Sequence, residues 1–228
     1  MIPIRDTNPA HRPPVVNITL IVLNILVFFW ELSLGASLPE RLNDVAFIPA
    51  RLWSGETLLS DIFTIFFSMF LHGGWLHLGS NMLYLWIFGD NIEDRLGHVK
   101  YLIFYLACGV LATLSHAIMS PASTIPAVGA SGAIAGVLGA YLLLFPSARV
   151  MTFIPFGFFI AMRELPAMFV LGLWFVIQLF TGVSTIGDVA AQDVGGVAWF
   201  AHIGGFVAGL VLIFVMGGRK QPTAYPRF

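Results

Sequence analysis

The chain alternates between long apolar stretches and short polar connections. A transmembrane helix needs about 20 consecutive, mostly apolar residues. Six stretches approach or meet this requirement, and they are Val15–Leu34, Trp75–Asp90, Tyr101–Met119, Val128–Phe145, Leu165–Val183 and Gly196–Gly217. The pattern therefore predicts an all-α membrane protein built as a six-transmembrane-helix bundle.

Two further apolar segments are predicted not to span. Asp61–His72 is interpreted as an interfacial or re-entrant segment, because joining it to the next span would place Gly73-Gly74 inside one overlong helix. Residues 150–162, "VMTFIPFGFFIAM", are short and interrupted by proline and glycine, which predicts a loop at the membrane interface. Gly35–Gly74 then forms a long first outer loop.

Composition supports a membrane location. Of the 228 residues, 58% are hydrophobic and 10% are charged, and the mean hydropathy is +0.88, whereas soluble domains carry about 25% charged residues. A net charge of −1 and the absence of a dense basic run give no reason to expect a nucleic-acid partner. The one cysteine, Cys108, excludes an intramolecular disulfide and a zinc cluster of the cysteine type.

The Lys and Arg residues predict the orientation, since cytoplasmic loops are enriched in them. With the N-terminus inside, nine of the eleven fall on the inner side and two, Arg41 and Arg51, on the outer side. Residues 1–14 and 218–228 are therefore expected to be cytoplasmic tails. The polar, proline-rich start shows no cleavable signal peptide, and without a seventh span or a transit-like start we expect a bacterial inner membrane.

Three polar residues share one depth in this topology. His77, Ser131 and His202 each lie near the start of a predicted span, and these three spans run in the same direction. Polar side chains inside a membrane bundle indicate a functional site. A serine hydroxyl needs a nearby base to act as a nucleophile, and histidine is the usual base.

Small residues predict how the serine and the histidine could meet. The fourth and sixth predicted spans carry glycines on one face, where small residues let helices approach closely. Tight packing alone would also explain these glycines. If they form a seam between the two spans, Ser131 and His202 meet at its outer end. The glycines concerned are Gly129, Gly132, Gly136 and Gly139, with Gly205 and Gly209.

Donors for a developing oxyanion are also present. His77 and Asn81 are four residues apart and so share a helix face, and the Ser131 backbone N–H lies near a helix start. An interhelical hydrogen bond would equally explain Asn81. No acidic residue has a spacing that places it on His202, with Glu31, Asp188 and Asp193 considered, so the simplest hypothesis is a Ser–His dyad.

Three motifs in order make the sequence resemble a rhomboid intramembrane serine protease. They are HxxxxHxxxN at His72, His77 and Asn81, GxSGxxxG at Gly129, Ser131, Gly132 and Gly136, and AHxxGxxxG at Ala201, His202, Gly205 and Gly209. The resemblance covers residues 15–217 and assigns them to one six-helix rhomboid-type protease domain.

The resemblance implies an activity and its residues. Ser131 would be the nucleophile and His202 the general base and acid, while His77, Asn81 and the Ser131 amide would form the oxyanion hole. The substrates would be single-span membrane proteins, cut by this serine endopeptidase in or near their transmembrane segments at a small residue. Trp174 and Phe175 would belong to a lateral substrate gate. Membrane lipids are the other implied partners, no cofactor or metal is implied, and the oligomeric state stays open.

The sequence departs from the family pattern at Ala135, and two alternative functions stay open. Ala135 occupies a position where some rhomboids carry an aromatic ring that stacks on the catalytic histidine, so the group that orients His202 is not identified. A catalytically silent rhomboid-like protein that binds transmembrane clients is one alternative, and a membrane transporter is another. Zinc and aspartyl proteolysis lack their motifs, since no HExxH occurs and Asp90 and Asp188 fall on opposite sides.

Overall fold

The computed structural model describes residues 1–54, 58–156, 159–185 and 198–217, and this part of the chain is mostly helical. The helices are α1 Val15–Leu34, α2 Leu38–Val45, α3 Pro49–Leu52, α4 Leu58–Ser68, α5 Trp75–Leu96, α6 His98–Met119, α7 Ser131–Leu144, α8 Ala167–Ser184 and α9 Trp199–Met216. A short 3₁₀ turn, Gly35–Ser37, joins α1 to α2. The strands are β1 Ile2–Asp6, β2 Arg149–Phe156 and β3 Phe159–Pro166.

Four helical segments of the described chain are long and apolar enough to cross a membrane. They are Val15–Val45, which includes α1, and the helices α6, α8 and α9. Helix α7 is apolar but has only 14 residues, and α5 has 22 residues with acidic side chains in its last turns. The chain is therefore an integral membrane protein.

Helix α7 lies at the centre of the bundle. Every residue from Gly132 to Tyr141 is buried, and α7 packs against α5, α6, α8 and α9. Small side chains make this possible, because they let surrounding helices approach on all sides. The predicted start at Val128 is three residues too early. Gly129 has φ +129°, a non-helical conformation that favours glycine, so the helix begins only at Ser131.

The strands form an antiparallel sheet in the order β1-β2-β3, so the prediction of an all-α fold is wrong. The prediction of a loop at 150–162 is also wrong, because β2 and β3 pair from Arg149 opposite Pro166 onwards. Residues 1–14 are not simply a tail, since β1 pairs with β2. Pro155, which suggested a loop, lies beyond Phe153, where the pairing with β1 ends, so its missing N–H removes no bond to β1.

The sheet lies at the end of the bundle where α1, α6 and α8 begin and α5, α7 and α9 end; we call this the sheet end and the opposite end the site end. Tyr141, near the end of α7, donates a hydrogen bond to the carboxyl of Asp6 in β1. Burial raises the pKa of this Asp6 carboxyl, while the hydrogen bond from Tyr141 opposes the rise. The Tyr141–Asp6 bond thus ties β1 to the central helix.

A second tie joins α1 to α5 at the sheet end. The Glu93 carboxylate accepts hydrogen bonds from the backbone N–H groups of Val16 and Asn17, at 2.9 and 2.7 Å. These donors belong to the first turn of α1, which has no acceptors within its own helix and favours negative charge. The same carboxylate lies 2.5 Å from His98 Nδ1. Glu93 therefore fixes the relative positions of α1, α5 and the start of α6.

The predicted break between Asp61–His72 and the next span is confirmed. Helix α4 ends at Ser68 and α5 begins at Trp75, with Gly74 at φ +153° before it. The backbone N–H of His72, inside the break, donates to the Glu31 carboxylate of α1 at 3.0 Å. This bond fixes the turn that directs α5 into the bundle at the site end.

Candidate active site

Ser131 and His202 are in hydrogen-bond contact at the site end. Ser131 is the first residue of α7, and His202 lies in the first turn of α9. Their side chains approach with His202 Nε2 2.8 Å from Ser131 Oγ. Both side chains are partly exposed. The structure thus brings together a hydroxyl and an imidazole from two helices that are far apart in sequence.

Close glycine contacts between α7 and α9 make this approach possible. A Cβ built on Gly205 would collide with the carbonyl oxygen of Gly132 and lie 2.9 Å from its carbonyl carbon. One turn further on, a Cβ on Gly209 would meet the backbone of Gly136, 2.5 Å from its carbonyl carbon. The two backbones therefore touch along four of the five glycines that the motifs highlighted.

The fifth of these glycines, Gly129, does not belong to the helix contact. It precedes α7 and lies against His77, so that a Cβ at Gly129 would be 2.8 Å from His77 Nε2. Its N–H donates to the Ser68 carbonyl at 2.9 Å, and the neighbouring Ala127 N–H donates to the Phe47 carbonyl at 2.8 Å. These bonds hold the loop before Ser131 against the segment between α1 and α5.

His77 and Asn81 lie on α5 close to this loop. His77 Nδ1 accepts a long hydrogen bond from the Gly73 N–H at 3.3 Å, and its ring packs edge-on against the His72 ring at 5.1 Å. Asn81 is 7% exposed, and its Nδ2 is buried with no hydrogen-bond partner among the described residues. A buried amide donor without an acceptor is unusual, because leaving it unpaired is costly.

Gln178 of α8 is a site residue that sequence reasoning missed. Its Oε1 lies 2.7 Å from His202 Nδ1, on the ring edge opposite Ser131. The signal was present in the sequence, since Gln178 is the one amide in the apolar helix α8, and polar residues at membrane depth indicate function.

The two residues assigned to a gate pack on α9. The Phe175 ring stacks on the Phe206 ring at 4.2 Å, and the Trp174 ring lies 5.9 Å from the His202 ring. Trp199 also approaches this imidazole, edge-on at 6.4 Å. One aromatic ring from α8 and one from α9 therefore lie beside His202, whereas Ala135 of α7 contributes none.

A cavity of about 30 Å³ adjoins Ser131. Its wall comes from the end of α4, from α6, from the loop before α7 and from the starts of α7 and α9, and includes Ala112, His116, Val128, Gly132 and Ala201. This volume is enough for an ordered water molecule beside Ser131. Three acidic residues were considered as partners of His202. Glu31 accepts a hydrogen bond from the backbone of His72, and Asp188 and Asp193 lie outside the described residues.

Comparisons with known proteins match this chain to rhomboid proteins. The family model described as "Rhomboid domain" matches residues 59–219. The chain is 34% identical to rhomboid protease GluP of Bacillus subtilis over 60% of its own length and 26% of that protein. It is 30% identical to rhomboid protease AarA of Providencia stuartii, over 55% of this chain and 49% of that protein.

Similarity extends to organelle proteins. The chain is 31% identical to rhomboid-like protein 11, chloroplastic, of Arabidopsis thaliana, over 68% of its length and 52% of that protein. It is also 30% identical to rhomboid protein 1, mitochondrial, of Saccharomyces cerevisiae, over 63% of its length and 39% of that protein. The chain thus spans between about a quarter and a half of the length of these relatives.

Proposed function

The chain belongs to the rhomboid family, and on that premise we propose that it is an intramembrane serine endopeptidase. Its substrates are single-span membrane proteins, which it cuts in or near their transmembrane segments. The observation that carries this proposal is the 2.8 Å contact between Ser131 Oγ and His202 Nε2. A rhomboid-like protein that only binds clients has no need of a nucleophile held against a base.

Ser131 and His202 carry the bond-breaking steps. His202 Nε2 removes the hydroxyl proton as Ser131 Oγ attacks the scissile carbonyl carbon. The imidazolium then gives this proton to the departing amine, which breaks the C–N bond and leaves an ester on Ser131. His202 next activates a water molecule that hydrolyses the ester, releases the new carboxyl terminus and restores the serine.

Three donors stabilise the oxyanion that forms in each attack. Asn81 Nδ2–H has no other partner in the described structure, and the Ser131 N–H lies in the first turn of α7, where no helical acceptor is available. His77 Nε2–H is the third donor. Gly129 leaves room beside His77, because a Cβ there would occupy the space in front of Nε2. Donors fixed before reaction are effective because they need no reorganisation.

The cavity beside Ser131 supports a preference for a small residue at the cleavage site. Its lining beside Ser131 consists largely of small residues, among them Gly109, Ala112 and Ala133, which leaves space for a small side chain next to the nucleophile. A transmembrane helix hides its carbonyl groups in internal hydrogen bonds, so a substrate must unwind before Ser131 can attack. Residues that weaken the substrate helix near the cut therefore favour cleavage.

The proposal includes a topology of six spans: α1, α5, α6, α7, α8 and α9. Helix α7, with 14 residues, is about 21 Å long, about 9 Å shorter than the hydrocarbon core. Its first residue, Ser131, then lies below the membrane surface, at a depth that water reaches from the site end. Of the eight Lys and Arg residues in the described part of the chain, all but Arg41 and Arg51 lie towards the sheet end, which makes that end, and both termini, cytoplasmic. The membrane is a bacterial inner membrane, and α8 with Trp174 and Phe175 is the gate.

Replacing Ser131 with alanine tests the proposed activity. Purified wild-type protein should cleave a single-span substrate in liposomes, and Ser131→Ala should abolish cleavage while it leaves thermal unfolding unchanged. Ser33→Ala is the matched control, because Ser33 is exposed on α1 and its hydroxyl bonds a carbonyl of its own helix. A serine-directed fluorophosphonate should label wild type and Ser33→Ala but not Ser131→Ala.

Two results would contradict the proposal. Cleavage by Ser131→Ala at the wild-type rate would exclude the serine as the nucleophile. Wild-type protein that binds a transmembrane client, but neither cuts it nor reacts with the fluorophosphonate, would favour the client-binding alternative.

A further inference from the structure

We infer that Gln178 is a positioning residue that fixes the tautomer and the ring orientation of His202. The inference concerns the base of the proposed protease and in that sense rests on the proposed function. It also supplies the orienting group that Ala135 cannot provide. Its starting point is the 2.7 Å contact between Gln178 Oε1 and His202 Nδ1.

Hydrogen-bond chemistry determines where the imidazole proton lies. A neutral imidazole has one N–H donor and one acceptor nitrogen, and an amide oxygen can only accept. The oxygen of Gln178 therefore requires the proton on Nδ1, which leaves the Nε2 lone pair directed at Ser131 Oγ, 2.8 Å away. The opposite tautomer would set two acceptors against each other at Nδ1 and would deprive Ser131 of a base.

The packing of α8 shows that Gln178 is directed inwards. Most of the other side chains of this helix are exposed, as expected of a surface that meets lipid, whereas Gln178 is 8% exposed. One turn further on, Gly182 lets α8 approach α9, since a Cβ there would lie 2.9 Å from Ile203 Cδ1 and 3.3 Å from Trp199 Cβ. This close approach brings the amide within reach of the imidazole.

A neutral amide suits this place in the bundle. A carboxylate in the same position would bring a charge into an apolar environment, which is expensive unless the charge is fully paired. Gln178 instead orients the ring by a neutral hydrogen bond, and the Trp174 ring on the same helix lies 5.9 Å from the imidazole. Helix α8 thus supplies both the hydrogen bond and an aromatic neighbour for the base.

Nitrogen NMR of His202 tests the inference without reference to cleavage. Protein labelled with ¹⁵N-histidine should show a protonated Nδ1 and an unprotonated Nε2 for His202, assigned by the loss of these signals in His202→Asn. Gln178→Leu, which has a similar shape and no acceptor, should show a mixture of tautomers. Gln178→Met, a second variant without the acceptor, should show the same mixture. Both variants should unfold at the wild-type temperature.

Kinetics then link the tautomer to turnover. Gln178→Leu should lower kcat about tenfold, the size expected for losing one neutral hydrogen bond, with KM within about twofold because the amide does not touch the substrate. Gln178→Glu keeps an oxygen acceptor at the same place when it is ionised and, despite the cost of burying its charge, should restore Nδ1 protonation and part of kcat. Thr181→Val is the control, since the Thr181 hydroxyl donates to the Ile177 carbonyl of its own helix.

The two proposals fail in different ways. A proton on His202 Nε2 in wild type, or full kcat with an unchanged tautomer in Gln178→Leu, would overturn the role of Gln178. If wild type never cleaves a substrate but Gln178→Leu still changes the single tautomer of wild type into a mixture, the positioning role stands and only the protease proposal falls.

Discussion

A single methyl group between α7 and α9 should separate the proposed dyad. In Gly205→Ala, the new Cβ would lie 2.9 Å from the Gly132 carbonyl carbon and 3.2 Å from Ala112 Cβ, and closer still to the Gly132 oxygen. Ordinary contacts between carbon atoms are about 3.5–4.0 Å, so α9 must move away from α7 by about 1 Å. Such overpacking costs about 1–3 kcal/mol, which leaves most folded proteins intact.

This movement has a larger effect on the chemistry than on the fold. It lengthens the Ser131–His202 contact from 2.8 Å to about 3.8 Å, beyond the range of a hydrogen bond. A misplacement of about 1 Å at a reacting group costs about a hundredfold in rate. We therefore expect kcat/KM of Gly205→Ala to fall about a hundredfold, with a melting temperature that drops by a few degrees.

Gly172→Ala is the matched control, because a Cβ at Gly172 of α8 has nothing within 4 Å. Initial cleavage rates of a fluorescent single-span substrate, measured in the same liposomes, give kcat/KM for each variant, and thermal unfolding in detergent gives the melting temperature. Gly172→Ala should behave as wild type in both. If Gly205→Ala cleaves within about threefold of Gly172→Ala, the helix contact does not control the dyad and the reasoning is refuted.

Three further predictions address the donors, the loop and the sheet. Asn81→Ala should lower kcat about ten- to a hundredfold with little change in KM, measured by initial rates, because its donor acts on the transition state; an equal change in KM would contradict this. Gly129→Ala should lower kcat/KM about a hundredfold, since its Cβ would meet His77 Nε2 at 2.8 Å in a backbone conformation that disfavours alanine; wild-type activity would exclude the proposed role of His77 in the oxyanion hole. Burial raises the pKa of Asp6 above 3.8, so the stability it contributes is complete below that pH and is lost as the pH rises through the raised value. Asp6→Asn should therefore reduce the fall in melting temperature as the pH is raised, and an unchanged pH dependence would show that another group is responsible.

The sequence predicted the helices well where hydrophobicity alone decides them. The bounds Val15–Leu34 of α1 match those predicted, and Gly73-Gly74 separates α4 from α5 as expected. The prediction failed for residues 150–162, because a short apolar stretch is ambiguous by periodicity and its strand partner, β1, lies far away in sequence.

The candidate site was likewise predicted in part from the sequence. Spacing and depth placed Ser131 and His202 near each other, because glycine patterns on two helices report how closely those helices can pack. Gln178 could not be placed in this way, since a lone amide on a helix has no spacing that points to its partner. Gly129 was misassigned because a motif does not distinguish a glycine needed for its backbone angle from one needed for packing.

The start of α8 has one further consequence. Strand β3 runs directly into this helix, and the N–H groups of Ala167 and Met168 donate to the carbonyls of Ala148 and Pro146. A helix anchored at one end acts as a lever, and Gln178 lies about 16 Å along it. A tilt of about 5° at the anchor would swing the amide by about 1.4 Å, enough to release the imidazole. Mutations in the sheet, at the far end of the molecule from Ser131, can therefore alter how often the His202 ring is oriented towards the Ser131 hydroxyl.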